Sequence, residues 1–183
     1  MFPIEAIYEL HCKASSDISE HLPILFDYAK KCESITEFGV RQAVSTWAFL
    51  AAKPKIFHCY DIVNLFQPEI VKEICESEGI RFEFHLESTL ECDIIETDLL
   101  FIDTYHHYNQ LIQELRRHES KAKKYIIMHD TLTFGENSQD GNDGMGLNRA
   151  IYEFLTENKN WEMEKIYISQ NGLTILRRVD ESR

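Results

Sequence analysis

Residues 34–61 read SITEFGVRQAVSTWAFLAAKPKIFHCYD, and this stretch decides the fold. Ser34–Phe38 is a short strand that stops at Gly39. Val44, Trp47, Ala48 and Ala51 then recur at helical spacing, and Pro54 closes that helix, because the residue before a proline is pushed out of the helical region. Ile56–Ile62 reads as a buried strand, with Asp61 about twenty residues beyond the glycine. Strand, helix and strand at this pace make a parallel βαβ unit.

The same alternation continues outward. Pro68 opens a helix carrying Ile70, Val71, Ile74 and Cys75, which Gly79 ends, and Phe82, Phe84 and Leu86 alternate in a strand over Arg81–Leu86. Leu99–Asp103 is an apolar run ending in an acid, and Tyr125–Asp130 repeats that design. Between them Tyr108, Leu111, Ile112 and Leu115 share one helical face. Thr133–Gly146 is polar and glycine-rich, which suits a mobile lid or binding loop. Leu147, Ala150, Ile151, Phe154 and Leu155 form a helical stripe, and Trp161–Ser169 and Leu173–Val179 pair around Asn171-Gly172. Towards the N-terminus, Ile18, Leu22, Leu25, Phe26 and Ala29 define a helix over Asp17–Lys31 with Asp17 as N-cap; Pro23 inside it kinks the helix or moves its start. The expected architecture is one α/β domain over 1–183. Residues 1–32 form a helical extension and 33–179 a Rossmann-like, doubly wound, mostly parallel sheet, into which the C-terminal hairpin inserts an antiparallel strand.

Composition narrows the function. The chain has 183 residues, with 44% hydrophobic and 11% aromatic content, enough for a sizeable core. Its net charge of −12 argues against a broad nucleic-acid or anionic-membrane surface, which would need a basic face. No apolar run approaches the roughly 18–20 residues of a membrane span. The start, Met-Phe-Pro-Ile-Glu-Ala, lacks the basic and apolar regions of a secretory signal, so a cytoplasmic protein is expected. Five cysteines without a CxxC pair suit reduced thiols, not a disulfide set or a zinc site.

In open α/β sheets ligands bind beyond the carboxyl ends of the strands, where the strand order reverses. The residues there are Glu37–Arg41, Asp61, Glu87-Ser88, Asp103–His107 and His129–Thr131. Gly39 allows backbone to approach a ligand closely, or is a plain turn glycine. Val40 and Ala43 stand where a dinucleotide fingerprint has further glycines, which disfavours NAD or FAD. Asp61 is placed to accept hydrogen bonds from both hydroxyls of a ribose, or to cap the next segment.

Glu37-Phe38-Gly39, Asp61, Leu99–Asp103, Tyr125–Asp130 and the reversed terminal hairpin together resemble the class I S-adenosylmethionine-dependent methyltransferases. Within them the chain looks closest to the small-molecule O-methyltransferases, including the catechol type, the macrocin type and the cephalosporin hydroxylase-like group. The resemblance implies S-adenosyl-L-methionine as cofactor. Glu37 and Gly39 would line its methionine and ribose portion, Asp61 would hold the ribose hydroxyls, and His85–Thr89, with Glu87 and Ser88, would lie against adenine. Ser45 would touch the methionine carboxylate, and Asp103 would border the same site. In metal-dependent members, acids after the fourth and fifth strands hold a divalent ion. Here those positions are Asp103, His129 and Asp130, where two carboxylates suit Mg²⁺ and an added imidazole favours Mn²⁺, Fe²⁺ or Zn²⁺. Asp103 and Asp130 read otherwise as caps or loop acids. His106 and His107 are candidate general bases, and His107, four residues after Asp103, would share its helical face.

The expected reaction is methyl transfer to a hydroxyl of a small molecule, such as a sugar or polyol, without a nucleic-acid or membrane partner. With so little chain beyond the core, a homo-oligomer is expected to complete the substrate site. The alternatives are a metal-dependent hydrolase or oxygenase built on the Asp/His cluster, and a cofactor-binding module without turnover. The first of these leaves Glu37 and Asp61 without a task.

Overall fold

Two apolar faces on one strand set the layering. In β4 (Thr97–Ile102) of the computed structural model, which describes residues 3–179, Leu99 and Phe101 enter one core, while Leu100 and Ile102 enter the other. A strand buried on both faces needs helices above and below it, and both layers are present. The flanking strands are β1 (Ser34–Phe38), β2 (Ile56–Asp61), β3 (Arg81–Leu86), β5 (Ala122–His129), β6 (Trp161–Tyr167) and β7 (Leu173–Arg178). They form one seven-stranded sheet in the order β3-β2-β1-β4-β5-β7-β6. β1 to β5 run parallel, and β7 lies antiparallel between β5 and β6. This is the doubly wound α/β sheet with the inserted hairpin strand that the sequence pattern implies.

On one face lie α2 (Leu22–Ala29), α3 (Val44–Ala51) and α4 (Pro68–Ser77), with Leu25, Phe49 and Val71 among the buried residues. On the other lie α5 (Tyr108–His118) and α6 (Leu147–Glu157), which bury Leu111, Leu115, Ile151 and Phe154. The N-terminal segment departs from a single helix over 17–31. It contains α1 (Ile4–Lys13), a 3₁₀ turn at Ser19–His21, and α2 with Pro23 in its first turn. A proline lacks the N–H that the first turn leaves unpaired anyway, so it is tolerated there and moves the helix start past Asp17. Asp17 is therefore not an N-cap; its carboxylate pairs with the Arg41 guanidinium at 2.8 Å. No helix among the described residues is long and apolar enough to cross a membrane.

Candidate active site

The strand order reverses between β1 and β4, and Gly39 lies directly beyond that point. Its φ is +81°, and a Cβ there would stand 2.0 Å from the Asp103 carbonyl oxygen, so only glycine lets the loop after β1 cross the end of β4. Arg41 (φ +47°) and Ala43 (φ +61°) also hold left-handed backbone, so the loop keeps a glycine-like course without glycine. Asp61 secures it. Its Oδ2 accepts from the N–H groups of Val40 at 2.8 Å and Arg41 at 3.0 Å, and its Oδ1 from that of Val63 at 3.0 Å.

Two cavities meet at Gly39, Arg41 and Asp103. The larger, about 450 Å³, is walled by Tyr60, Asp61, Ile62, Glu87 and Ser88 on one side and by Thr104, Tyr105 and His106 on the other. The smaller, about 310 Å³, lies between Ser15–Ile18 and the turn from Val40 to Ser45. Gly39, Asp61, Glu87, Ser88 and Asp103 thus share one opening. Glu37 does not reach it. β1 alternation points Glu37 to the α3 side with Ile35, where it is fully buried and lines neither cavity. Ser45 and Thr46 donate to its two oxygens at 2.5 and 2.7 Å. Burial pushes the Glu37 carboxyl up to about 8, against the pull of those hydroxyls. Ser45, expected at the methionine carboxylate, gives its hydroxyl hydrogen to Glu37 while bordering the smaller cavity.

A second buried acid carries no local signal in the sequence, because it sits mid-helix among other polar residues. Glu114 of α5 accepts from Thr89 at 2.5 Å, Thr104 at 2.9 Å and Gln110 at 2.9 Å. It ties the loops after β3 and β4 together behind the larger cavity. Burial raises its carboxyl to about 7.

Beyond β4 and β5 the side chains of Asp103, His106, His129 and Asp130 converge. His106 Nε2 lies 3.2 Å from Asp103 Oδ1 and 3.0 Å from Asp130 Oδ2, while its Nδ1 faces Gln139 Oε1 at 2.9 Å. Both ring nitrogens face oxygen. Burial opposes protonation of the ring, yet Asp103 and Asp130 raise it to about 9. Burial likewise opposes ionisation of Asp103, but His106 and His129 outweigh it and hold its carboxyl well below the usual range. His106 therefore stands between two carboxylates on one nitrogen and Gln139 on the other. His107 is elsewhere: α5 begins at Tyr108, so the spacing from Asp103 is not helical. His107 is the N-cap, accepting from the Asn109 N–H at 3.0 Å, and it lines neither cavity.

The other oxygens of the two carboxylates point to His129. Its Nδ1 is 3.5 Å from both Asp103 Oδ2 and Asp130 Oδ1. Neither ring nitrogen of His129 has a hydrogen-bond partner, and neither does Asp130 Oδ1, although all are buried. Asp130 also adopts a left-handed φ of +60°, an uncommon state for a side-chain-bearing residue and one that clusters at functional sites. Two carboxylate oxygens and an imidazole nitrogen face one another, and two of these three atoms, Asp130 Oδ1 and His129 Nδ1, lack a hydrogen-bond partner; this is a donor set that fits a divalent cation.

The loop after β5 lies over this cluster and is pinned there. Phe134 stacks on His106 at 4.7 Å, the Gln139 N–H donates to the His106 carbonyl at 2.8 Å, and the Tyr108 N–H donates to Met145 O at 2.8 Å. Gln139 reaches the larger cavity, and no local pattern in Ser138-Gln139-Asp140 announces it.

Solved structures share this arrangement of elements. An O-methyltransferase from Bacillus cereus, in complex with SAH, superposes with a TM-score of 0.68 at 13% identity, over 96% of this chain and 90% of that one. The chain has the class I methyltransferase fold. An SAH-bound methyltransferase from Podospora anserina gives a TM-score of 0.59 at 16% identity, covering 97% of this chain and 88% of that one. A Burkholderia thailandensis 1,6-didemethyltoxoflavin-N1-methyltransferase gives 0.65 at 13% identity, covering 92% and 80%. No protein-family model matches the sequence, and no curated protein matches it. The methyltransferase fold thus spans almost the whole chain at identities where sequence comparison is silent.

Proposed function

We propose that this chain is an S-adenosylmethionine-dependent methyltransferase that alkylates a hydroxyl of a small molecule. The observation that carries this reading is the pair of cavities meeting at Gly39 and Asp103, with Asp61 on the wall of the larger one. The nucleoside belongs in the larger cavity and the methionine portion in the smaller. A carboxylate offers about four acceptor sites, and three backbone N–H groups occupy Asp61, so it keeps capacity for a ribose hydroxyl. Glu87 and Ser88 supply polar groups and Ile62 an apolar surface against the base. The acidic Asp103 rim favours a cationic sulfonium.

Asp103, His129 and Asp130 would hold a divalent cation, with His129 Nδ1 and Asp130 Oδ1 the buried atoms that lack a partner. A cation there supplies charge that lowers the pKa of an acceptor hydroxyl. His106 positions the pair, holding one oxygen of each carboxylate so that the other oxygens turn to His129. Gln139 and Phe134 keep His106 in place and exclude water from that side. Alignment of acceptor and methyl group then provides most of the acceleration.

Calorimetric titration with S-adenosylhomocysteine, with Mg²⁺, Mn²⁺ or EDTA, tests the cofactor site. Binding is expected in the wild type and at least about tenfold weaker in Asp61→Ala, since a charged hydrogen bond contributes ~1.5–3 kcal/mol. Methyl transfer from labelled S-adenosylmethionine to a panel of sugars, polyols and phenols tests the acceptor class. Absence of cofactor binding under every metal condition would remove the methyltransferase reading and leave the Asp/His cluster as a hydrolytic or oxidative metal centre.

A further inference from the structure

Away from this site, three side chains on β2 and the edge strand β3 face one another. In the parallel register His58 lies beside Glu83, and Tyr60 beside His85, so all four share one face of the sheet. His58 Nδ1 and His85 Nε2 are 3.2 Å apart, and His85 Nε2 is 3.8 Å from Glu83 Oε2. One nitrogen or oxygen from each residue falls within 4.8 Å of the other two. Two ligand atoms each about 2.0–2.1 Å from a tetrahedral zinc ion stand about 3.4 Å apart, close to the nitrogen separation found here.

Two of the three potential ligands are already oriented by a neighbour. Arg81 grips Glu83 Oε1 through Nε at 3.0 Å and Nη2 at 2.8 Å, which turns Oε2 towards the histidines. Tyr60 stacks flat on the His85 ring, with centroids 4.4 Å apart and planes 9° from parallel. His58 is buried, while Glu83 and His85 are about one-third exposed and leave an approach from solvent. Such outer partners are what fixes ligand direction in metal sites.

We propose that His58, Glu83 and His85 form a second metal site, taking a divalent ion of the zinc class and leaving a coordination position for water. Two imidazoles and one carboxylate are a donor set suited to Zn²⁺, Co²⁺ or Ni²⁺. The ion would bolt the edge strand to β2. It would do so just before the chain enters Asp61 on β2 and Glu87-Ser88 after β3, the residues that wall the larger cavity. The inference is independent of methyl transfer.

The test uses Asp130→Asn, which disables the other cluster and retains a residue that tolerates the left-handed backbone. After EDTA treatment, Co²⁺ titration of this variant should give a saturable visible ligand-field band at one ion per chain, and Zn²⁺ should displace it and raise the melting temperature. Adding His85→Ala or Glu83→Gln should weaken Co²⁺ binding at least about 100-fold, and adding Arg81→Ala about tenfold, as loss of an outer partner does. Glu83 and His85 are exposed enough for these changes to leave the fold intact, which the circular dichroism spectrum checks. No band in Asp130→Asn, or a band that His85→Ala leaves unchanged, overturns the proposal and reduces the pair to a hydrogen bond between two rings.

Discussion

Gly39 and the buried acids are where single atoms decide the outcome. Gly39→Ala places a Cβ 2.0 Å from the Asp103 carbonyl at a φ of +81°. Left-handed strain alone costs roughly 1–2 kcal/mol, and the backbone clash adds to it. Urea denaturation should show a loss of at least about 2 kcal/mol, with weaker S-adenosylhomocysteine binding in calorimetry. Glu37 makes a prediction in pH. Its folded value is about 8 against an ordinary 4.5, so the native state keeps a proton that the unfolded chain releases. Its contribution is complete below 4.5 and is lost as pH rises through about 8. Glu37→Gln cannot ionise, so its stability relative to wild type should rise with pH across that window, by on the order of a few kcal/mol. A parallel pair of denaturation-versus-pH curves would refute this. The acid itself was plain in the sequence; its face was not, because strand alternation and the Ser45 and Thr46 hydroxyls of α3 together turn it inward.

At the level of the element, the start of α5 separates two adjacent histidines. His107 caps the helix with a 3.0 Å bond from the Asn109 N–H, while His106 turns back to Asp103 and Asp130. His107→Ala should cost about 1 kcal/mol through the lost cap and leave S-adenosylhomocysteine affinity unchanged. Thermal melts beside calorimetry check both halves. His106→Asn should instead weaken any Mn²⁺ effect on S-adenosylhomocysteine binding, since the two carboxylates lose the ring that positions one oxygen of each. The period of Tyr108, Leu111, Ile112 and Leu115 announced the helix, but its first residue depends on cap geometry. An error of one turn there exchanges the roles of the two rings.

For the molecule as a whole, the sheet separates two cores that share no helix. Ile175 of β7 is buried in the α3 layer and Ile151 of α6 in the opposite one. Ile175→Val and Ile151→Val should each cost about 1 kcal/mol, and the double variant should equal their sum within about 0.5 kcal/mol in urea denaturation. A larger discrepancy would mean that the layers are coupled through the sheet.

From Ser34 onward, helix and strand order, the inserted hairpin and the acid or glycine at the strand ends were legible locally; the N-terminal α1 and 3₁₀ turn were not. Side-chain period, Pro54, Pro68 and the strand-ending Gly39 act over a few residues, and no distant contact is needed to read them. What each strand-end group faces was decided only on folding. Glu114 meets Thr89 and Thr104 across two loops, Gln139 reaches His106 from 33 residues away, and Glu83 meets His58 through parallel register. Such pairings arise where distant strands and loops converge, and no local pattern of one segment encodes the position of the other.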